Sequence, residues 1–324
     1  MKAIELSAFE GFDSIKLVEV EKPRPGVNQV LVKVEAAGIN FAELEMAKGR
    51  YTVPQKPPFI MGFEAAGVVV EVGPEVRNIK VGDNITSLVP SGGYAEYAIA
   101  HANMAIPIPG GITFAEATTI PVQGLSAYAL LKFAAKLQAK ESVLVQSAAG
   151  GVGLYLVQLA KIMGAETVIA LASSEEKIDL ITRLGADVAI NYSNKYWPDQ
   201  VREVTCGKGV DVVLEAASGK VGEESFKLIA PFGRMVVFGA RNAHDTISSE
   251  KVQQLIYRNQ SVTGFNFPSM RPEQIAEYVP SLLSLISQGK VKLFANNSFP
   301  LAEVKEAYEA ISSRGTIGKV VLTP

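Results

Sequence analysis

The stretch from Ser142 to Gly164 constrains this chain's fold more than any other. Val143 to Gln146 reads as a short apolar strand. Ser147-Ala148-Ala149-Gly150-Gly151-Val152-Gly153 follows as a loop of small residues, and Gly151 to Met163 reads as a helix stopped by Gly164. A strand, a glycine loop and a helix in that order open a βαβ unit. The alternation continues downstream. Thr167 to Ala172, Val188 to Tyr192, Val210 to Ala216, Arg234 to Gly239 and Ser261 to Phe265 read as strands, with Glu175 to Leu184 a helix ended by Gly185. Strands that are apolar throughout and separated by helices predict a parallel sheet covered on both faces.

The first 110 or so residues have a different character. Leu31 to Ala36 alternates apolar and polar as a half-buried strand does. Ala66 to Val72 and Tyr94 to Ile99 are further strands, with turn signals at Gly73-Pro74 and Gly82-Asp83. A short helix is expected over Asn40 to Lys48, closed by Gly49. Thr113-x-x-Glu116 has the form of a capping box, and a longer helix is expected over Gln123 to Leu137. Past residue 270, helices over Glu273 to Gln288 and Leu301 to Ser312 precede a last strand, Gly318 to Leu322. The fold class is therefore α/β, a β-rich domain joined to a doubly wound parallel sheet.

The glycine loop sits where a dinucleotide fingerprint belongs, between a strand and a helix. Ala149, Gly150, Gly151 and Val152 are the candidate phosphate-binding residues, with Gly150 admitting the pyrophosphate and Gly153 letting helix and strand pack closely. Ala148 stands where the first glycine of the fingerprint usually stands. The alternative is an ordinary tight turn. An NAD site places an acidic residue about 20 residues further on, at the tip of the second strand. Here that position is Ser173, not a carboxylate, and Ser173, Ser174 and Lys177 cluster about it, with Glu175 and Glu176 adding repulsion if they turn inward. Two hydroxyls and an ammonium suit a 2′-phosphate, which points to NADPH. Two plainer readings stand beside this one: Ser173-x-x-Glu176 is also a capping box, and Lys177 suits a solvated helix face.

Four segments carry a family resemblance: Gly38-Ile39-Asn40-Phe41-Ala42-Glu43, Lys48-Gly49-Arg50-Tyr51, Gly62-Phe63-Glu64-Ala65-Ala66-Gly67 and Ala148-Ala149-Gly150-Gly151-Val152-Gly153. Together they resemble the zinc-free quinone oxidoreductase (zeta-crystallin-like) branch of the medium-chain dehydrogenase/reductase superfamily. The resemblance implies a discontinuous GroES-like domain over residues 1–122 and 268–324, and a Rossmann domain over 123–267. It further implies a homodimer, with Ser261 to Phe265 as an edge-pairing strand.

In the zinc alcohol dehydrogenases of that superfamily, a cysteine stands where Asn40 stands and a histidine where Phe63 stands. A phenyl ring cannot coordinate, an asparagine is a poor zinc ligand, and a catalytic site needs about three good ligands. With one cysteine in the chain, the superfamily's four-cysteine lobe is impossible, and the two histidines, His101 and His244, lie far apart in sequence. No metal site is expected. Without a metal, the expected substrates are conjugated enones or quinones, whose π system spreads the charge of the incoming hydride to oxygen and so needs less Lewis-acid help than a simple ketone does. Asn40 and Tyr51 are the candidate catalytic residues, Asn40 as a donor to an oxygen and Tyr51 as a donor or proton source. A loop asparagine and a packed aromatic are the plainer alternatives. Glu64 reads equally as an active-site carboxylate or as a structural one. Tyr192, Phe238, Gly239, Phe265, Asn266 and Lys319 are expected near the cofactor on the strength of the resemblance.

Net charge is −2 and the basic residues are scattered, so neither nucleic acid nor an anionic membrane is an expected partner. The N-terminus meets a charge at Lys2, and no apolar run approaches the roughly 18–20 residues of a membrane span. A single cysteine suits a reducing compartment, so a cytoplasmic location is expected. The expected function is NADPH-dependent, zinc-independent reduction of quinones or other α,β-unsaturated carbonyls. A 2-enoyl thioester or acrylate-type reductase and a non-catalytic NADPH-binding interaction protein are the alternatives.

Overall fold

The computed structural model describes residues 1–51, 56–239 and 248–324. The chain divides into two compact units, Met1–Leu125 with Pro272–Pro324, and Ser126–Arg271.

In the first unit, β1 (Lys2–Leu6) pairs with β2 (Ile15–Glu19) and with β4 (Phe59–Ile60). A larger antiparallel layer centres on β3 (Gln29–Ile39) and β5 (Glu64–Val72), continuing through β6 (Asn84–Leu88) and β8 (Ala105–Pro107), with β7 (Tyr97–His101) on β3. The C-terminal segment returns to it as β15 (Asn297–Pro300) and β16 (Val320–Thr323), β16 running antiparallel to β3. Strand β3 serves two cores. Val30 and Val32 pack with Val69, Ile85 and Ala100, whereas Val34, Ala37 and Ile39 join Ile4, Leu44, Met61 and Tyr308. The inward positions change from even to odd numbers between Val34 and Ala37. A register shift against β5 between Val34 and Ala36 supplies the extra residue that makes this possible. It also sets how the strand delivers Asn40 to its end.

The second unit holds β9 (Ser142–Val145), β10 (Thr167–Ala172), β11 (Val188–Asn191), β12 (Val210–Glu215), β13 (Ile229–Phe238) and β14 (Ser261–Phe265). They lie in the order β11-β10-β9-β12-β13-β14, every pair parallel. That is the dinucleotide-binding arrangement, with its switch point between β9 and β12. Val143, Leu144 and Val145 are wholly buried, as a central strand covered on both faces requires. Strand β14 forms one edge.

One expected element differs. The continuous helix expected over Gln123 to Leu137 is broken: α3 (Leu125–Ala129) lies between two π-turns, Ile120–Gly124 and Leu130–Ala134. Their i→i−5 bonds run from Gly124 N–H to Thr119 O (2.9 Å) and from Ala135 N–H to Leu130 O (2.7 Å). Pro121 lies in the first of them and has no N–H to give to an α-helical ladder. Among the described residues, no helix is long and apolar enough to cross a membrane.

Candidate active site

In the second unit, β9 leads into the small-residue loop and α4 (Gly151–Ile162). Ser147 turns the chain with φ +49°, and the Ala148 N–H ties the loop to Leu171 O of β10 at 3.0 Å. Gly150 is the N-cap of α4, so no side chain covers the N–H groups of its first turn. Those groups and the helix dipole suit an anion. Gly153 packs against the loop so closely that a Cβ would stand 2.7 Å from Ala148 Cα and 2.8 Å from Ala148 C, both backbone atoms. Gly150 is crowded only by Ser147 O, at 3.1 Å. The two glycines thus differ in degree: Gly153 is closely packed against the loop backbone, whereas Gly150 meets a single atom. Gln146, which the sequence reading passed over, joins the loop to the far side of the switch point. Its amide accepts from Ala216 N–H (3.2 Å) and Ala217 N–H (3.0 Å) and donates to Ser225 (2.7 Å).

At the second strand's tip, Ser174 is the N-cap of α5 (Glu175–Arg183), and its side chain makes no capping hydrogen bond. The capping box considered at Ser173 is therefore not formed, because the helix begins one residue later. Tyr192 follows β11 and donates its N–H to Ala172 O at 3.0 Å, which sets it beside Ser173. Glu175 turns toward Asn191, whose amide donates to it at 3.3 Å. Phe238 and Phe265 are register partners at the ends of β13 and β14. Asn266 donates to Ser269 Oγ at 2.9 Å, and Gly239 has φ +85° at the start of the expected cofactor loop. Residues 240–247 of that loop, with His244, lie outside the described residues.

In the first unit, Asn40 is the N-cap of α1 (Phe41–Ala47). Glu43 reaches back to the Asn40 N–H at 2.5 Å and accepts from the Phe63 N–H at 3.3 Å. The Asn40 amide donates to Glu64 Oε1 (2.9 Å) and its oxygen accepts from Lys319 Nζ (2.8 Å), while Lys319 and Glu64 pair directly. The second Glu64 oxygen accepts from Val122 N–H at 3.2 Å, within the first π-turn. Glu43, Glu64 and Lys319 have no exposed surface. Burial lifts the Glu43 carboxyl to about 7, against the pull of Lys319 and the Asn40 N–H. Burial also raises Glu64, with Lys319 opposing the rise. Tyr51 packs half-buried against the same core; burial, then the charge of Glu43, raises its phenol above its ordinary value.

Lys319, expected near the cofactor, is wholly buried, and its ammonium is held by Glu64 and Asn40. Glu43 was missed, although Asn40-x-x-Glu43 has capping-box spacing. Phe63 is packed among apolar side chains. Among the described residues, no group of three His, Cys, Asp or Glu side chains is placed to hold a metal ion.

A β-rich unit completed by the C-terminal strand, followed in sequence by a dinucleotide-binding sheet, defines a medium-chain dehydrogenase/reductase. Two family models match: the alcohol dehydrogenase GroES-like domain over residues 26–110, and the zinc-binding dehydrogenase over residues 151–287. Rat quinone oxidoreductase is 32% identical over 330 residues, covering 99% of this chain and 97% of the relative. The synaptic vesicle membrane protein VAT-1 homolog of Danio rerio is 32% identical, covering 99% of this chain and 70% of its own length. The structure of Escherichia coli quinone oxidoreductase complexed with NADPH superposes with a TM-score of 0.91 at 30% identity, covering both chains completely. Within the superfamily, the chain belongs to the quinone oxidoreductase family.

Proposed function

We propose that the chain is an NADPH-dependent, zinc-independent reductase of quinones or other α,β-unsaturated carbonyls. One observation carries this reading. A glycine-lined helix start without a side-chain cap lies beside a strand tip offering Ser173, Ser174 and Lys177 where an NAD site holds a carboxylate. The fit is physical. The N–H groups of Gly151 and Val152 suit the pyrophosphate, with Ala149 and Gly150 lining its approach. The hydroxyls and ammonium at the strand tip suit the 2′-phosphate, with Tyr192 beside them. Phe238-Gly239 is the strand end assigned to the nicotinamide half, and Phe265-Asn266 and Lys319 are assigned to the cofactor cleft. When bound, NADPH supplies the hydride. A relative crystallised with that cofactor supports the choice.

Asn40 and Phe63 support the zinc-independent reading. A phenyl ring offers no lone pair, and the Asn40 amide is already committed to Glu64 and Lys319. In this reading the substrate's π system spreads the incoming charge to its oxygen, where Asn40 donates a hydrogen bond. Tyr51, protonated at neutral pH like any tyrosine, is the assigned proton donor; burial and then Glu43 raise its phenol and so make it a weaker acid until a substrate is bound beside it. The reading includes a cytoplasmic homodimer paired through β14. The preceding helix, α8 (Ser249–Arg258), exposes Ile256 (68%) and Tyr257 (80%), apolar area suited to a second copy.

The test is NADPH oxidation across a panel of quinones, alkenals and enoyl thioesters. Turnover of quinones or alkenals is expected. Strong preference for thioesters would move the assignment to an enoyl thioester reductase. NADPH binding with no turnover of any member would replace the enzyme reading with that of a binding protein.

A further inference from the structure

A lysine and a glutamate with no exposed surface both attend one asparagine in the first unit. A buried ion pair contributes less to stability than an apolar pair of similar volume often would, so stability alone does not account for it. Its geometry does. Lys319 Nζ donates to Asn40 Oδ1 at 2.8 Å, and one Asn40 Nδ2 hydrogen goes to Glu64 Oε1 at 2.9 Å. Val122 N–H holds the other oxygen of Glu64 at 3.2 Å. Turning the amide over would set its NH₂ against an ammonium and its oxygen against a carboxylate, two repulsions in place of two hydrogen bonds. The backbone of Asn40 is tied separately by Glu43. The pair also lies against the strand that carries Asn40. A Cβ on Gly38 would stand 2.5 Å from Glu64 Oε1 and 2.9 Å from Lys319 Nζ, so only a glycine leaves room for it.

We propose that Lys319 and Glu64 are positioning residues that hold the Asn40 amide in one orientation, so that a substrate oxygen meets its second Nδ2 hydrogen and never the amide oxygen. The proposal rests on the reading that Asn40 meets the substrate oxygen. It gives Gly38, Glu64, Val122 and Lys319 one shared purpose.

A double-mutant cycle tests it, with kcat and KM measured for NADPH-dependent reduction of a small enone. Asn40→Ala is expected to lower kcat on the order of a hundredfold, the cost of losing an oxyanion donor. Glu64→Gln is expected to lower kcat roughly tenfold with little change in KM, and to have no further effect in the Asn40→Ala background. Losses that multiply across the two sites would make the pair merely structural, with the Asn40 reading intact. Unchanged turnover in Asn40→Ala would refute the Asn40 reading, and the positioning role would fall with it. A second measurement needs neither turnover nor a stable Glu64 variant: the ¹⁵N relaxation of the Asn40 side-chain NH₂ in the cofactor-free wild-type protein. An amide held in one orientation predicts an order parameter near that of rigid backbone, about 0.85. A value below about 0.6, the flexible range, would overturn the proposal.

Discussion

Gly150 and Gly153 lie in one loop, yet their replacement by alanine should fail in different ways. At Gly153 the new methyl would meet Ala148 Cα at 2.7 Å and Ala148 C at 2.8 Å. Those are backbone atoms that cannot rotate aside, so α4 must move away from the loop. Overpacking of this kind costs about 1–3 kcal/mol, and alanine's better helix propensity offsets up to about 1 kcal/mol of it. A net loss of about 2 kcal/mol corresponds to a Tm lower by roughly 4–8 °C for a unit of this size. The displaced N–H groups should also weaken NADPH, since one lost hydrogen bond to a charged group is worth about 1.5–3 kcal/mol, or roughly ten- to hundredfold in Kd. Gly150 has φ −78° and ψ 171°, backbone that any residue adopts, and its methyl would be crowded only by Ser147 O at 3.1 Å. Gly150→Ala should therefore stay within about 1 kcal/mol of the wild type, while NADPH weakens about tenfold or more as the methyl takes the space of the pyrophosphate. Thermal melts and fluorescence titration with NADPH separate the two effects. Wild-type NADPH affinity in Gly150→Ala would refute the assignment of this loop as the phosphate cradle. Wild-type stability in Gly153→Ala would refute the close-packing argument.

Lys177→Ala should weaken NADPH at least tenfold and leave NADH nearly unchanged; equal weakening in parallel titrations would remove the 2′-phosphate from this strand tip. Tyr51→Phe should slow enone turnover with NADPH affinity preserved, and unchanged steady-state rates would make Tyr51 a packing residue. For Glu43, the folded carboxyl titrates at about 7 against an ordinary 4.5, so between those values the folded state holds a proton that the unfolded state has lost. Its contribution to stability must fall as pH rises through that window and level off above it, by up to about 3 kcal/mol. Glu43→Gln should flatten that slope in urea melts compared from pH 5 to 8, and parallel curves for the two proteins would contradict it.

The nucleotide half of this chain was legible because its signals are local. A small-residue loop between an apolar strand and a helix needs no long-range information, and neither do the apolar strands behind it. The four-segment resemblance then singled out Asn40 and Tyr51 as candidates. What stayed hidden depends on residues distant in sequence. The contacts of Lys319 with Asn40 and Glu64 stayed hidden because only the antiparallel pairing of β16 with β3 brings them together. Gly38 carried no visible reason until that pair was seen against it. The π-turn over Ile120–Gly124 has a local cause in Pro121, but nothing local shows that Glu64 accepts from its Val122 N–H. At Ser173 and Ser174 a one-residue difference in helix start decided between a capping box and an uncapped turn, a distinction finer than sequence periodicity resolves.

The proposed zinc-independent reduction, in which the substrate's own conjugation acts with Asn40 and Tyr51, is tested by single-turnover reduction of an enone by 4-deuterated NADPH, using protein stripped with a chelator and verified metal-free by elemental analysis. An undiminished rate and deuterium at the β-carbon of the product are expected. A rate lost on stripping and restored by added zinc would contradict the proposal.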